Sequence, residues 1–190
     1  MKFIEYSEKI KTSLNKLSNE SINKVLHALY KSILEDRTIF IIGNGGSAAN
    51  ASHLAIDLSR LSFEKDGKTI KIRALSLTDN VPYITATAND FEYQDIFTEQ
   101  LKNYSKANDT LIAISCSGNS ENIVKAVEYA KTQSMTTIGI SGFDGGKILN
   151  ICDYNIHVDL SDFGVVESIH SAIFHYFPTG LELIHQGKDA

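Results

Sequence analysis

The 190-residue sequence predicts an α/β fold in which helices cover both faces of a five-stranded parallel sheet. Helical segments separate most of the predicted strands, and strands that alternate with helices typically form parallel sheets. The hydrophobic content of 43% and charged content of 22% are ordinary for a globular protein, so we expect a single domain over residues 1–190. Short runs rich in β-branched residues mark the strands, at 38–42, 72–77, 110–114, 136–140 and 154–158.

A helical extension precedes the first strand. Residues 1–36 carry two apolar stripes at helical spacing, separated by a polar break at 18–21. Such stripes can pack equally well against the chain's own sheet or against a neighbouring subunit. We expect residues 1–36 to lie in an oligomer interface and residues 37–190 to form the α/β core.

The remaining helices follow the strands in order. Segment 63–69 is predicted to be an exposed turn, and Pro178 predicts a kink or break in the last helix. Helices are predicted over 47–60, 80–104 (with a break), 120–133, 146–151 and 165–186.

Charge and cysteine content exclude several classes of protein. The net charge is −5 and the lysines are dispersed, which argues against a nucleic-acid or membrane surface. The two cysteines are a poor disulfide framework, and no apolar run approaches membrane-spanning length. The first residues are too polar for a signal peptide, so we expect a cytoplasmic protein.

The segment Thr110–Ser120 is the most informative part of the chain. A buried-looking strand runs into three serines around a glycine, and a helical pattern starts immediately afterwards. The unpaired N–H groups and positive dipole of a helix N-terminus favour an anion such as phosphate. A plain Ser/Gly turn with a serine cap is the alternative. The serines concerned are Ser115, Ser117 and Ser120.

A glycine-rich loop, Gly43–Asn50, follows the first strand. It lacks the Gly-x-Gly-x-x-Gly spacing of dinucleotide-binding proteins, so no nucleotide cofactor is expected. Its glycines would let the backbone approach a ligand closely, and Ser47 would offer a second phosphate or hydroxyl contact. A tight strand-to-helix turn is the alternative.

Two pairs of histidine and acidic residues lie on predicted helices. His53 and Asp57 are four residues apart, and Glu167 and His175 are eight apart, so each pair lies nearly on one helix face. Two histidines and two carboxylates suit zinc or another divalent ion, or metal-free acid–base catalysis. Taken singly, each residue could equally be an ordinary surface or structural side chain.

Together, three segments resemble the sugar isomerase (SIS) family, and within it the phosphoheptose isomerases. The segments are Ile41–Leu58, Ser115–Ser120 and Ile138–Lys147, and the resemblance extends over essentially the whole chain. It implies a flavodoxin-like doubly wound sheet and a homotetramer with active sites between subunits. It also implies interconversion of sedoheptulose 7-phosphate and D-glycero-D-manno-heptose 7-phosphate through an enediolate, for lipopolysaccharide or capsule heptose biosynthesis.

The resemblance also assigns roles to individual residues. His175 matches the catalytic histidine, Asp57 matches the carboxylate that acts as base, and Glu167 is the second candidate base. A zinc ion would be held by His53, Asp57, Glu167 and His175. The substrate would be bound by Asn44, Gly45, Ser47, Asp90, Ser115, Ser117 and Ser120.

Several positions depart from the family pattern. Asp57 stands where glutamate is common, Glu167 where glutamine is common, and Cys116 where the phosphate loop has threonine. These differences are typical of a variant subfamily. The alternatives are an isomerase of another sugar phosphate and a non-catalytic phosphosugar-binding or adaptor protein.

Overall fold

The computed structural model describes residues 1–188 and confirms the α/β fold with a five-stranded parallel sheet. The strand order is β4-β1-β5-β6-β7, and every neighbouring pair is parallel. Residues 189–190 lie outside the described residues, so the predicted domain limit at 190 is not covered. The sheet strands are β1 (Thr38–Gly43), β4 (Arg73–Ser76), β5 (Thr110–Ser115), β6 (Thr136–Ser141) and β7 (Tyr154–His157).

Eight α-helices surround the sheet in the described part of the chain. The predicted break within 80–104 is present: a 3-10 turn, Tyr93–Asp95, lies between two α-helices. The helices are α1 (Phe3–Leu14), α2 (Asn19–Leu34), α3 (Gly46–Ser59), α4 (Val81–Asp90), α5 (Thr98–Tyr104), α6 (Glu121–Thr132), α7 (Gly146–Ile151) and α8 (Phe163–His185). None of these helices is long and apolar enough to cross a membrane.

The sheet has a separate apolar core on each face, which explains the uninterrupted hydrophobic strands. All six residues of β5 are buried, as expected for a central parallel strand. Side chains of α2, α3 and α8 fill the core on one face. Side chains of α5, α6 and α7 fill the core on the other.

The two N-terminal helices behave differently. Helix α2 buries Val25, Leu26 and Leu29 in the chain's own core. Helix α1 has no fully buried residue; Tyr6, Ile10 and Leu14 pack at the edge of the same core, and Lys9 forms a 2.6 Å ion pair with Asp162, directly before α8. Phe3 remains 82% exposed, so α1 retains an apolar surface that this chain does not cover.

The structure contradicts the exposed turn predicted at 63–69 and excludes a break of the last helix at Pro178. The predicted turn at 63–69 is the centre of an antiparallel hairpin formed by β2 (Ser62–Lys65) and β3 (Lys68–Lys71). Phe63 is buried there and packs edge-to-face on Tyr30, with ring centroids 5.9 Å apart. Pro178 does not break the last helix, because Phe174, Phe177 and Leu181 are all buried in the core and hold both sides of it in place.

A buried histidine fastens α8 to the sheet. His170 is fully buried, and its Nε2 lies 3.2 Å from the carbonyl oxygen of Ser141 at the end of β6. Burial lowers the pKa of His170 from 6.5 to about 4, because the charged imidazolium would lose its hydration. The folded protein therefore keeps this histidine neutral at pH 7.

We expect the free energy of unfolding to fall as the pH drops from about 6.5 to about 4. In this range His170 is protonated in the unfolded chain but not in the folded chain, so acid favours unfolding. Over the whole range the free energy of unfolding should fall by about 3 kcal/mol. Urea unfolding at a series of pH values measures the effect. The variant His170→Gln should lose this part of the pH dependence, and an unchanged profile would contradict the assignment.

Candidate functional site

One group of the expected functional residues lies at the carboxyl ends of the parallel strands, where ligands bind in doubly wound folds. The loops after β1 and β5 form one pocket, which we call the serine pocket. The first turns of α8 close the remaining side of the pocket. Its lining residues are Asn44, Ser47, Ile114, Ser115, Cys116, Ser117, Ser120, Phe163 and Glu167.

The loop after β5 turns sharply so that its serines face one another. The Oγ of Ser115 accepts a hydrogen bond from the Gly118 N–H at 3.1 Å and lies 3.4 Å from the Oγ of Ser120. Ser120 precedes α6 directly, but its side chain makes no capping hydrogen bond. The serine-cap alternative therefore fails for Ser120, and its hydroxyl stays available to a ligand beside the N–H groups that begin α6.

Gly118 is required by the geometry of this loop. Its φ is +65°, and an added Cβ would overlap the carbonyl oxygen of Gly145 in the neighbouring loop. The Gly118 carbonyl in turn accepts a hydrogen bond from the Ile148 N–H at 3.1 Å. The serine loop thus rests directly on the backbone of the loop after β6.

The glycine-rich loop supplies the opposite wall. Gly45 has a φ of +56° and is exposed, and α3 begins at the next residue. Ser47 is buried, and its Oγ lies 3.9 Å from the Sγ of Cys116. Burial raises the pKa of the Cys116 thiol, which keeps it protonated and unsuited to nucleophilic attack.

Glu167 belongs to the serine pocket. Its carboxylate lies so close to Gly46 that a Cβ on this glycine would overlap both carboxylate oxygens. The first turn of α3 therefore faces a carboxylate, which its helix dipole stabilises. Among residues 1–188 no lysine or arginine lines the pocket, so hydroxyls and helix N-termini are its groups that attract anions.

A second group of residues lies further along the same two helices. The Oδ2 of Asp57 is 3.5 Å from the Nε2 of His53 and 3.6 Å from the Nδ1 of His175. The two imidazole rings meet edge-to-face with centroids 4.6 Å apart. We call these three residues the His–Asp–His cluster. The ligand atoms of all three lie within 4.8 Å of one another, which suits a single metal ion.

The expected four-residue metal set is thus only partly assembled. Glu167 is not in the cluster, because its side chain points toward Gly46 at the start of α3 instead. Ser47 and His53 are six residues apart on α3, or about 9 Å along the helix axis. The serine pocket and the cluster therefore lie at two levels of the paired helices α3 and α8.

Asp90 is not part of either group. It is exposed at the end of α4, in a depression lined by Tyr83, Thr87 and Glu99, and it accepts a 2.8 Å hydrogen bond from Asn89. Nothing within this chain brings its carboxylate to the serine pocket among the described residues.

Sequence reasoning missed two residues that support the pocket. Asn122 exchanges two hydrogen bonds with Asn44, and the Tyr93 hydroxyl donates to the same Asn44 side chain. Asn122 and Asn44 are 78 positions apart, and neither contributes to a periodic pattern. The only sequence signal was the position of Asn122 directly after the serine loop.

Comparisons with known proteins agree with this geometry. The SIS domain family matches residues 2–142 of the chain. The phosphoheptose isomerase of Helicobacter pylori is 36% identical over 174 residues, covering 91% of this chain and 88% of that protein. The phosphoheptose isomerase of Fusobacterium nucleatum is 35% identical, covering 96% of this chain and 88% of its own.

Solved structures give the same result. The phosphoheptose isomerase of Neisseria gonorrhoeae superimposes with a TM-score of 0.86 at 28% identity, covering 95% of this chain and 94% of that chain. The sequence match, the fold and the two groups of polar residues all support the same family assignment. The chain belongs to the SIS domain family and, within it, to the phosphoheptose isomerases.

Proposed function

We propose that this protein interconverts sedoheptulose 7-phosphate and D-glycero-D-manno-heptose 7-phosphate. The observation that carries the proposal is the pairing of an anion pocket with a His–Asp–His cluster at two levels of α3 and α8. A phosphate held by the serine pocket would anchor the remote end of a sugar and leave its C1 and C2 at the second level. Relatives named phosphoheptose isomerase support this substrate class.

The reaction moves hydrogen between adjacent carbons. In the direction of the aldose, C1 loses a proton to a base and an enediolate forms. The base returns the proton to C2, the C1 hydroxyl gives up its proton, and the C2 oxygen gains one. We assign the base to Asp57, which lies beside His175 and away from the serine pocket. His175 would carry the proton between the two oxygens.

Glu167 has a different role in this proposal. Its carboxylate lines the serine pocket, so with the phosphate bound there it is closer to the phosphate end of the substrate than to C1 and C2. We propose that Glu167 contacts substrate hydroxyl groups, with Asn44, Gly45 and the three loop serines as the other contacts within this chain.

The His–Asp–His cluster fits a zinc ion. Two imidazoles and one carboxylate are a common protein ligand set for catalytic zinc, with a further position open to substrate. Bound there, zinc would polarise the substrate carbonyl and stabilise negative charge on its oxygens. We propose His53, Asp57 and His175 as the zinc ligands that this chain supplies, and Glu167 as a substrate contact instead of the fourth ligand.

Removal of the metal provides a test of this assignment. We expect chelation to lower the isomerase activity and added zinc to restore it. His53→Ala should bind no zinc by elemental analysis and should lose the response to chelator. His27→Ala, at an exposed histidine on α2, is the matched control and should behave as the wild type. Full activity in metal-free protein would contradict a catalytic metal.

We also propose a homotetramer whose active sites form between subunits. Asp90 lies outside the serine pocket of its own chain, so a neighbouring subunit would have to bring this carboxylate to the substrate. Exposed apolar side chains on α1 and next to the cluster would be covered in such an assembly, among them Phe3, Ile4 and Ile56. The isomerisation would take place in the cytoplasm, as a step of heptose biosynthesis for surface polysaccharides.

The experiment is incubation of purified protein with sedoheptulose 7-phosphate, followed by NMR. Appearance of the aldoheptose phosphate is expected, with fructose 6-phosphate converted far more slowly. Preferential conversion of fructose 6-phosphate would assign a shorter sugar. Binding of sedoheptulose 7-phosphate without conversion, in zinc-supplied protein, would indicate a non-catalytic binding or adaptor role.

A further inference from the structure

A pair of asparagines joins the two loops of the serine pocket. Asn44 follows β1, and Asn122 lies in the first turn of α6, where it is only 2% exposed. The Nδ2 of Asn44 donates to the Oδ1 of Asn122 at 2.9 Å, and the Nδ2 of Asn122 donates to the Oδ1 of Asn44 at 2.8 Å. Asn44 lines the pocket, whereas Asn122 does not.

The backbone fixes the direction of these hydrogen bonds. The Ile123 N–H is shared between the Ser120 carbonyl oxygen and the Oδ1 of Asn122, each at 3.0 Å, and a backbone N–H can only donate. The Asn122 atom that faces it must therefore be the oxygen, and the other amide atom must be the nitrogen. Because this nitrogen donates to Asn44, the Asn44 amide has a single allowed orientation.

The orientation leaves Asn44 with one free group. Its oxygen accepts from Asn122 and, at 3.1 Å, from the Tyr93 hydroxyl, which uses both lone pairs. Its nitrogen carries two hydrogens, and only one is donated to Asn122. The remaining N–H is the one polar group of this side chain that stays available to a ligand.

We infer that Asn122 is a positioning residue that makes Asn44 an obligate hydrogen-bond donor to the bound sugar phosphate. This inference rests on the proposed function, which places that ligand in the serine pocket. An obligate donor must meet an oxygen lone pair of the substrate, and it disfavours any ligand that presents a donor at the same point. Without Asn122, the Asn44 amide can turn over, and its free N–H is no longer directed to the ligand.

The test is a double-mutant cycle on Asn122→Leu and Asn44→Ala, with sedoheptulose 7-phosphate and inorganic phosphate as probes. Each single variant should raise the KM for the sugar phosphate about 10-fold, the usual loss for one hydrogen bond of this kind. The double variant should be no worse than Asn44→Ala alone, because Asn122 acts through Asn44. An unchanged KM in Asn122→Leu, or fully additive losses, would overturn the inference.

A matched control separates positioning from stability. Asn155→Leu is a comparable loss of side-chain hydrogen bonds, to the carbonyls of Leu149 and Cys152, but Asn155 lies on β7 outside the pocket. It should lower the Tm and leave KM unchanged. If Asn122→Leu does not fold, Asn122→Ala is tested in its place, because alanine also removes the amide and is a good helix former.

Inorganic phosphate distinguishes failure of the inference from failure of the proposed function. If the wild type binds phosphate by ³¹P NMR but does not convert the sugar, the proposed isomerase function is contradicted. The double-mutant cycle is then measured with the affinity for phosphate. If the wild type binds neither probe, both the proposed function and the inference about Asn122 are contradicted. If it converts the sugar and Asn122→Leu behaves as the wild type, only the inference fails.

Discussion

Asp57→Asn is expected to lower the kcat of isomerisation by about 10²- to 10⁴-fold, the range that a positioned acid–base group typically contributes. The substitution keeps the shape of the side chain but removes its ability to take a proton from carbon, and because Asp57 is also a proposed zinc ligand, the two proteins are compared at equal zinc content. The serine pocket is untouched, so KM should change by less than about threefold, as expected when an interaction specific to the transition state is lost. Steady-state kinetics with sedoheptulose 7-phosphate measure both constants.

Two further variants make this result specific. Asp66→Asn is the matched control, because Asp66 is exposed in the hairpin turn at a φ of 52°, which asparagine also adopts. Glu167→Gln tests the other candidate base and should retain activity within about 10-fold of the wild type, since losing one contact costs about that much. A severe loss in Glu167→Gln with a mild loss in Asp57→Asn would assign the base to Glu167 instead.

Gly118→Ala is expected to weaken phosphate binding strongly and to lower the Tm. The new Cβ would strike the Gly145 carbonyl, so the serine loop must move away from the loop after β6. Ser115, Ser117 and Ser120 would then no longer converge, and KM for a sugar phosphate should rise by about 100-fold or more, as expected when several hydrogen bonds are lost together. Phosphate titration and thermal unfolding measure the two effects.

Gly67→Ala is the matched control for this prediction. Gly67 has a φ of +72°, similar to that of Gly118, but open space surrounds its added Cβ. Both variants bear the cost of about 1 kcal/mol for placing alanine in the left-handed region, and only Gly118→Ala also meets a clash. Equal phosphate affinity in the two variants would show that the backbone contact between the loops is not what shapes the pocket.

The sequence predicted the sheet well because its signal is strong and local. Strands such as β5 are buried on both faces and appear in the sequence as short, mostly apolar runs rich in β-branched residues. The hairpin β2–β3 was missed for the opposite reason. Most of its residues are exposed and polar, and its two apolar residues, Phe63 and the cross-strand partner Ile70, are separated in the sequence by a polar stretch.

The site was predictable where it depends on position along one element. His53 and Asp57 share a helix face by spacing alone, and the structure places His175 beside them. Side-chain direction was not predictable. Glu167 reaches the serine pocket because Gly46 leaves room for its carboxylate, a contact between residues 121 positions apart in the sequence. The Asn44–Asn122 pair likewise depends on two loops meeting in space.

The most direct test of the central claim is hydrogen exchange during turnover in D₂O. If a carboxylate beside C1 and C2 removes the C1 proton and returns a proton to C2, the aldoheptose phosphate should gain deuterium at C2. Asp57→Asn should lose both exchange and conversion, while Asp66→Asn should retain them. Conversion by the wild type over many turnovers, with no deuterium at C2 of the aldoheptose phosphate and none at C1 of the recovered sedoheptulose 7-phosphate, would indicate direct hydride transfer and contradict proton transfer through an enediolate.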